Sequence, residues 1–522
     1  MIADAGRVYI YESMNMVERK KRFCVSALTV LGMLAMSVPG LRGTVIPPER
    51  LIDWDAGVRG GIPDVPVVET VPAETLGQRG TRAIEEAMER LQGPGAIFLP
   101  EGAYYLEEPI QMRSGVVLRG RGAGKTRLIF ALPPPEEDGI SIRPAFGAIR
   151  IEGTRETREV GIRSGHKEGS RELEVERGHG LVAGELILVY SDNDPELMYT
   201  ESRWERPWAR ESMAQIVTLK AAFEERLVID TPLRLDLKAE FAPRLRRIRP
   251  ITDAGVEAMT VVGAAGFNDT LIGIEAGLNC WVRDVETAFT GRGHIWINFS
   301  RFITVTGNTC HHAYDYGGGG NGYGIVAGNV ATDCLVVDNY LHNLRHSMMT
   351  KRGSSGNVFA YNYSTAPRRN EPGQRPLCDI SAHGHYSHTN LFEGNQVEFV
   401  ELADFWGPTG PRTTLFRNRV MQKLEVRDHS HDTNLIGNEL REGSLFIDET
   451  CKDVFLLGNR DAAREPGPES EDLPASLYYQ KRPPFWGDLP WPSIGPGTDT
   501  ERDWVLPAQG RGQPLDFGQI AH

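Results

Sequence analysis

The sequence predicts an all-β solenoid, a parallel β-helix with an N-terminal capping helix and a small inserted β subdomain. Three observations predict it. From about residue 255 an asparagine recurs in related pentapeptides: VTGNT (305–309), VVDNY (336–340), FAYNY (359–363), LFEGN (391–395), LFRNR (415–419), LIGNE (435–439) and LLGNR (456–460). These residues, Asn308, Asn339, Asn362, Asn395, Asn418, Asn438 and Asn459, are spaced by 31, 23, 33, 23, 20 and 21 residues. A short period with two enlarged coils is what one turn of chain per rung produces. Secondly, 57 Gly and 33 Pro in 522 residues supply many turns, short of a low-complexity composition. Thirdly, residues 95–130 break into short β segments separated by turn residues.

The elements follow in order. Residues 1–43 read as a signal-peptide region: basic residues at 19–22, an apolar run at 23–38 and small residues at 39–43. The run falls short of the roughly 20 residues needed to span a bilayer. Secretion or periplasmic location without stable membrane insertion is therefore expected, with Met14 or Met16 as the start. Residues 44–154 form an irregular lead-in, a cap and the first coils. A helix opens at Thr81, expected as its N-cap, with Ile84, Ala87, Met88 and Leu91 on one face. Strands are expected at 96–99, 103–106, 116–118 and 127–130.

Residues 155–250 read as the inserted β subdomain, with alternating segments at 185–190, 214–219 and 226–229. Its loop 192–212 carries Trp204 and Trp208 and is expected to shield one end of the array. Residues 251–463 form the main β-helix and its groove, with Val305, Val336, Leu391, Leu415, Leu435 and Leu456 stacked inside. The repeated Asn residues occupy bends, tolerating left-handed backbone. Residues 464–522 form a tail rich in Pro and aromatic residues, packed along the outside or capping the last coil. Cys280, Cys310, Cys334, Cys378 and Cys451, odd in number and widely spaced, read as buried small apolar residues, with one disulfide left open.

The run at 81–130 (TRAIEEAMERLQGPGAIFLPEGAYYLEEPIQMRSGVVLRGRGAGKTRLIF) resembles the opening of the pectate-lyase-type, or pectin lyase-like, right-handed parallel β-helix superfamily. Pro100, Gly102, Tyr104, Gly120, Gly122 and Thr126 carry the likeness. It implies a right-handed solenoid and a carbohydrate-directed role on a scaffold that hosts lyases, hydrolases, epimerases and adhesins. It leaves Ca²⁺ open as a cofactor; the residues by themselves assign none. GRGAGKT is read as a tight turn, since a phosphate-binding loop would need Gly where Arg119 stands.

A net charge of −13 argues against a nucleic-acid partner. The enlarged intervals 308–339 and 362–395 project loops from rigid rungs, where function usually resides. Eight of the thirteen histidines lie between 294 and 388. The segments CHHAYDYGGGGNGYG, LHNLRHSMMTKRG and PRRNEPGQRPLCDISAHGHYSH hold most of the reactive side chains, and Glu393, Glu398, Glu401, Asp404 and Trp406 follow. Coils stack about 4.8 Å apart, so neighbouring rungs converge on one groove.

Three readings are open, all with a polysaccharide partner. A lyase needs a base, an acid and a cation that neutralises a uronate carboxylate. His346 would be the base, Arg345 or Lys351 the cation, and a Tyr or a His, such as His383 or His385, the acid. A glycoside hydrolase would use two carboxylates from Asp315, Asp379, Glu393 and Asp404. A non-catalytic protein would only bind glycan. In each, Tyr316, Tyr323, Arg352, Tyr386, Asp404 and Trp406 are expected to contact sugar. The pairs His383/His385 and His429/His431 could each present two imidazoles to a metal, yet no third ligand is evident.

Overall fold

A β-strand turns successive side chains to opposite faces. A three-residue strand repeated on each coil therefore places the same inward residue over the one below. The computed structural model describes residues 46–132, 147–373, 377–403, 406–461, 470 and 472–511. The expected signal region and Asp404 lie outside the described residues. Within them, twelve strands from Val67–Thr70 to Phe455–Leu457 pair in parallel along one flank. Their central residues run in register: Val305, Val336, Phe359, Phe392, Leu415, Leu435 and Leu456.

This corrects the expected interior at two places. Leu391 is one residue out of phase, so it points outward into the cluster under the C-terminal tail, and Phe392 takes the interior position. Leu456 is in register but 39% exposed, because it sits on the last rung.

The asparagines form a continuous buried ladder at one corner. Each Nδ2 donates to the Oδ1 of the next, from Asn308→Asn339 (2.9 Å) through Asn362→Asn395 (3.0 Å) to Asn438→Asn459 (2.9 Å). Each Oδ1 also accepts the previous rung's backbone N–H, as Asn395 does from Asn362 at 2.9 Å. The left-handed backbone is not on the Asn, as expected, but on the residue before it: Gly307, Asp338, Tyr361, Gly394, Arg417, Gly437 and Gly458 all have positive φ. None of the seven asparagines has positive φ, and the amide of each faces its neighbours in the ladder.

Two short helices, Ala73–Arg79 and Thr81–Arg90, cover the N-terminal end. Thr81 is not the N-cap. Gly80 is, and the Thr81 hydroxyl instead donates to the Glu108 carbonyl at 2.7 Å. The Gly-rich turn after Val116–Arg119 packs so tightly that a Cβ on Gly120 would lie 2.4 Å from the Ala258 carbonyl. The Thr126 hydroxyl closes it onto the Pro100 carbonyl at 2.9 Å.

The insertion is a closed antiparallel barrel of six strands: Thr154–Ser164, Glu172–Val175, Leu186–Ser191, Met213–Ala222, Arg226–Ile229 and Arg244–Arg249. Fully buried Arg301 fastens it to the solenoid, pairing with Asp230 of the barrel and Asp333 of the coils, each at 2.9 Å. The lead-in runs outside the coils, where Trp54 Nε1 donates to the Thr389 carbonyl at 2.8 Å. The tail packs Trp486, Val505 and Leu506 against the flank beside Val358 and Phe416. The described cysteines are all free, and Cys280, Cys310 and Cys334 sit in the main core. No described helix is long and apolar enough to cross a membrane.

Candidate active-site groove

On the face opposed to the barrel loop, five adjacent strands run in parallel: Gly293–Asn298, Tyr323–Ala327, His346–Lys351, Ile380–His383 and Gln396–Leu402. Register puts His346 beside Tyr323, and His383 beside Lys351. Outward residues of these strands form the floor of a groove of about 600 Å³.

One wall comes from the inserted barrel, whose loop at 201–210 contributes Arg203 and Trp208. The expected shield of the array's end thus becomes part of the groove. Trp208 meets Trp406 edge-on at 5.5 Å and His383 at 6.0 Å. The opposite wall is Gly318–Gly320 of the first enlarged loop. Asp315 holds that loop in shape, accepting from Gly317 N (2.8 Å), Asn321 Nδ2 (2.6 Å) and Asn370 Nδ2 of the second enlarged loop (2.6 Å).

The lining is rich in cations. Arg203, Arg345, Lys351, Arg369 and Arg427 face the groove, against the carboxylates Glu401 and Asp428. Arg345 is fastened by donation to the Tyr316 carbonyl and lies 3.6 Å from Glu371. Trp296 stacks on Tyr323 at 5.8 Å.

His346 is buried, and its Nδ1 lies 2.9 Å from the Cys378 carbonyl. A carbonyl only accepts, so Nδ1 carries the proton and Nε2 keeps its lone pair. Burial pushes its pKa down to about 3, the Cys378 hydrogen bond opposing. His383 is held well below the usual histidine range, first by burial and then by the charge of Lys351. Both imidazoles are therefore neutral near pH 7. Burial raises Asp428 above the usual carboxylate range. Glu401 accepts from Arg427 at 3.2 Å.

The structure thus brings His346, Arg345, Lys351, His383, Tyr323 and Trp406 together. The remaining candidates lie elsewhere. Asp379 is wholly buried beneath the strands, accepting from Ser364 Oγ (2.6 Å) and Phe399 N (2.9 Å), with burial raising its pKa to about 6. Glu393 is on the opposite flank, taking hydrogen bonds from Tyr361 (2.6 Å), Ser476 and Leu477 N (2.8 Å), where it anchors the tail.

His385 donates to the Trp204 carbonyl and packs on Trp208 at 5.3 Å. Arg352 donates to the Arg210 carbonyl at 3.0 Å. Tyr386 belongs to the barrel's core, its hydroxyl 3.3 Å from His431. Tyr316 supports the loop, its hydroxyl accepting from Ala313 N at 3.0 Å. Sequence reasoning missed Trp208, Trp296, Arg203, Arg427 and Asp428. The spacing from Glu401 to Arg427, one coil apart, was the only signal for that pair. Among the described residues no group of three or more His, Cys, Asp or Glu is arranged to hold a metal.

No protein-family model matches the chain, and no curated protein sequence does. Solved structures do. The tailspike gp61 of Pseudomonas phage phi297 superposes with a TM-score of 0.52 at 12% identity, over 73% of this chain and 67% of that one. The tailspike gp49 of Pseudomonas phage LKA1 gives 0.50 at 12% identity, over 72% and 74%. At this identity the two likenesses establish the parallel β-helix and say nothing of the chemistry.

Proposed function

We propose that the groove binds an anionic, uronate-containing polysaccharide and cleaves it by β-elimination outside the cytoplasm. The observation that carries this is a neutral imidazole, His346, with its Nε2 lone pair kept open, set among cations on a long aromatic-lined groove. Removing the proton α to a carboxylate requires that carboxylate to be neutralised. Lys351 and Arg345 supply the charge. Nε2 of His346 takes the α-proton, electrons move to expel the glycosidic oxygen, and the Tyr323 hydroxyl protonates the leaving group. Two products form, one carrying an unsaturated uronate. Trp208, Trp296 and Trp406 offer ring faces for sugar stacking, and the glycine wall lets a chain approach the backbone.

One observation favours a second reading, glycoside hydrolysis. Glu401, paired with Arg427 at 3.2 Å, and Asp428, kept protonated to higher pH by burial, are two carboxylates in different settings of the same groove.

The test is to incubate the protein with acidic polysaccharides and follow ultraviolet absorbance of unsaturated uronate and new reducing ends in parallel. Both signals should rise together and be lost in His346→Ala. Reducing ends without absorbance, abolished by Asp428→Asn, would replace elimination by hydrolysis. Binding without either product would leave a glycan-binding protein.

A further inference from the structure

We propose that Arg345 and Arg369 form a carboxylate subsite with a counter-ion built into the chain: Glu371 pairs with both guanidiniums and yields them to the carboxylate of an acidic sugar. The proposal rests on the reading of the groove as a uronate-polysaccharide site and adds a regulation of that site.

Both arginines line the groove, whereas Glu371 stands outside its lining, on the second enlarged loop. Arg369 Nε donates to Glu371 Oε2 at 2.8 Å, and Arg345 Nη1 lies 3.6 Å from Oε1. The longer contact is an ion pair without a hydrogen bond. Arg345 is only 8% exposed and is fixed through Nη1 to the Tyr316 carbonyl, yet its buried Nε meets no acceptor among the described residues. Among the same residues Arg369 donates to Glu371 alone. A guanidinium presents a planar fork of N–H groups that a carboxylate matches side-on with two parallel bonds. Glu371 engages one N–H of Arg369 and none of Arg345, so it balances charge without filling either fork. A carboxylate inside the groove would meet the donors that Glu371 leaves unmatched, and a buried donor gains most from such a partner.

The pair is readily exchanged. The Glu371 side chain is 36% exposed, and an ion pair open to water is weak because solvent screens it. The Arg369 hydrogen bond, helped by the charge of Arg345, holds Glu371 below the usual carboxylate range. Glu371 is thus ionised near pH 7, both as a partner of the arginines and after release into water. Exchange swaps one carboxylate for another and leaves no charge unbalanced. Arg345 immediately precedes His346, so the subsite adjoins the proposed base. Glu371 therefore competes with every uronate that enters beside His346, and a neutral sugar meets no such competition.

The experiment measures calorimetric binding of oligogalacturonate, oligoglucuronate and oligomannuronate to the full chain, each beside its carboxyl-reduced form. Glu371→Gln keeps the size of the side chain and removes its charge. It should tighten binding of the acidic sugar about two- to fivefold and leave the reduced form unchanged. In an Arg369→Gln background most of that gain should disappear. Weaker or unaltered acid binding in Glu371→Gln overturns the exchange, as does an equal gain for acidic and reduced sugars or a gain that persists in full without Arg369. Wild-type and Glu371→Gln proteins that both leave every oligouronide unbound overturn the reading of the groove itself.

Discussion

Two glutamates of one rung divide the molecule. Glu393 and Glu401 are eight positions apart, and both are buried. Glu393 faces the flank, where hydrogen bonds from Tyr361, Ser476 and Leu477 hold it to the tail. Glu401 faces the groove beside Arg427, Lys351 and His346. On the flank, the Asn ladder is paired from coil to coil and Glu393 is met by the preceding coil and the tail. In the groove, cations outnumber carboxylates among the described residues, and two buried imidazoles, His346 and His383, line a cavity. Burial alone does not mark a site. What marks it is the crowding of cations and neutral imidazoles around one cavity.

The contrast can be broken at several points. The largest effect is expected on the groove side: His346→Ala should lower kcat/KM on an acidic polysaccharide by about 10²–10⁴-fold, with a fall in Tm no larger than the loss of its one buried hydrogen bond, to the Cys378 carbonyl, explains. A large fall in Tm instead would assign His346 to structure.

On the flank the weight reverses. Asn395→Ala removes the partner of Asn362 and Asn418 in mid-ladder, and each buried group left unmatched costs about 1–3 kcal/mol. Chemical denaturation should show the loss, with glycan affinity of the folded fraction retained. Glu393→Ala should cost about 1–3 kcal/mol by the same logic and make the tail after Ser476 more open to proteolysis. Unchanged cleavage there would disconnect Glu393 from the tail.

A smaller effect concerns pH. Burial holds His346 and His388 at about 3 and His312 and His385 at about 4 in the folded chain. The unfolded chain, with ordinary histidines, binds more protons from about pH 6.5 downward, so acid favours unfolding. Asp379, raised to about 6, acts in the opposite sense: its contribution is present below about pH 3.8 and lost as pH rises through 6. The histidines dominate this window, because His294 and His383 are also held well below the usual histidine range. Tm should fall steadily from pH 6.5 to 4, and a flat profile would contradict the buried neutral imidazoles. The proposed cleavage activity of the folded protein should persist into the same window, because His346 stays unprotonated there.

The solenoid was legible because its physics is periodic. One turn of chain per rung forces an Asn to recur at a corner, and the ladder confirms the period read from seven pentapeptides. The barrel's strands were visible as alternating segments, and the sequence reading had the GRGAGKT run as a turn. Phase was harder. The exchange of Leu391 for Phe392, and of Asn for its predecessor at the left-handed position, are both one-residue errors, and a period of two turns such an error into the opposite face.

Clustering of His, Arg and Lys between 311 and 388 located the groove, because the enlarged coils of one solenoid face must lie side by side. It did not sort the members. Asp315, Asp379 and Glu393 are carboxylates of the same kind as Glu401 and Asp428 in any linear reading. The sequence by itself determined the repeat, the stacking corner and the stretch of chain that carries the reactive residues, since these depend on neighbours within a coil or one period away. Only the tertiary structure decided which of them face the groove, and that Trp208, from an insertion more than a hundred residues earlier, lines it beside Lys351. That contact depends on how a separate barrel docks at Arg352 and Gly353, a matter of shape that no local pattern encodes.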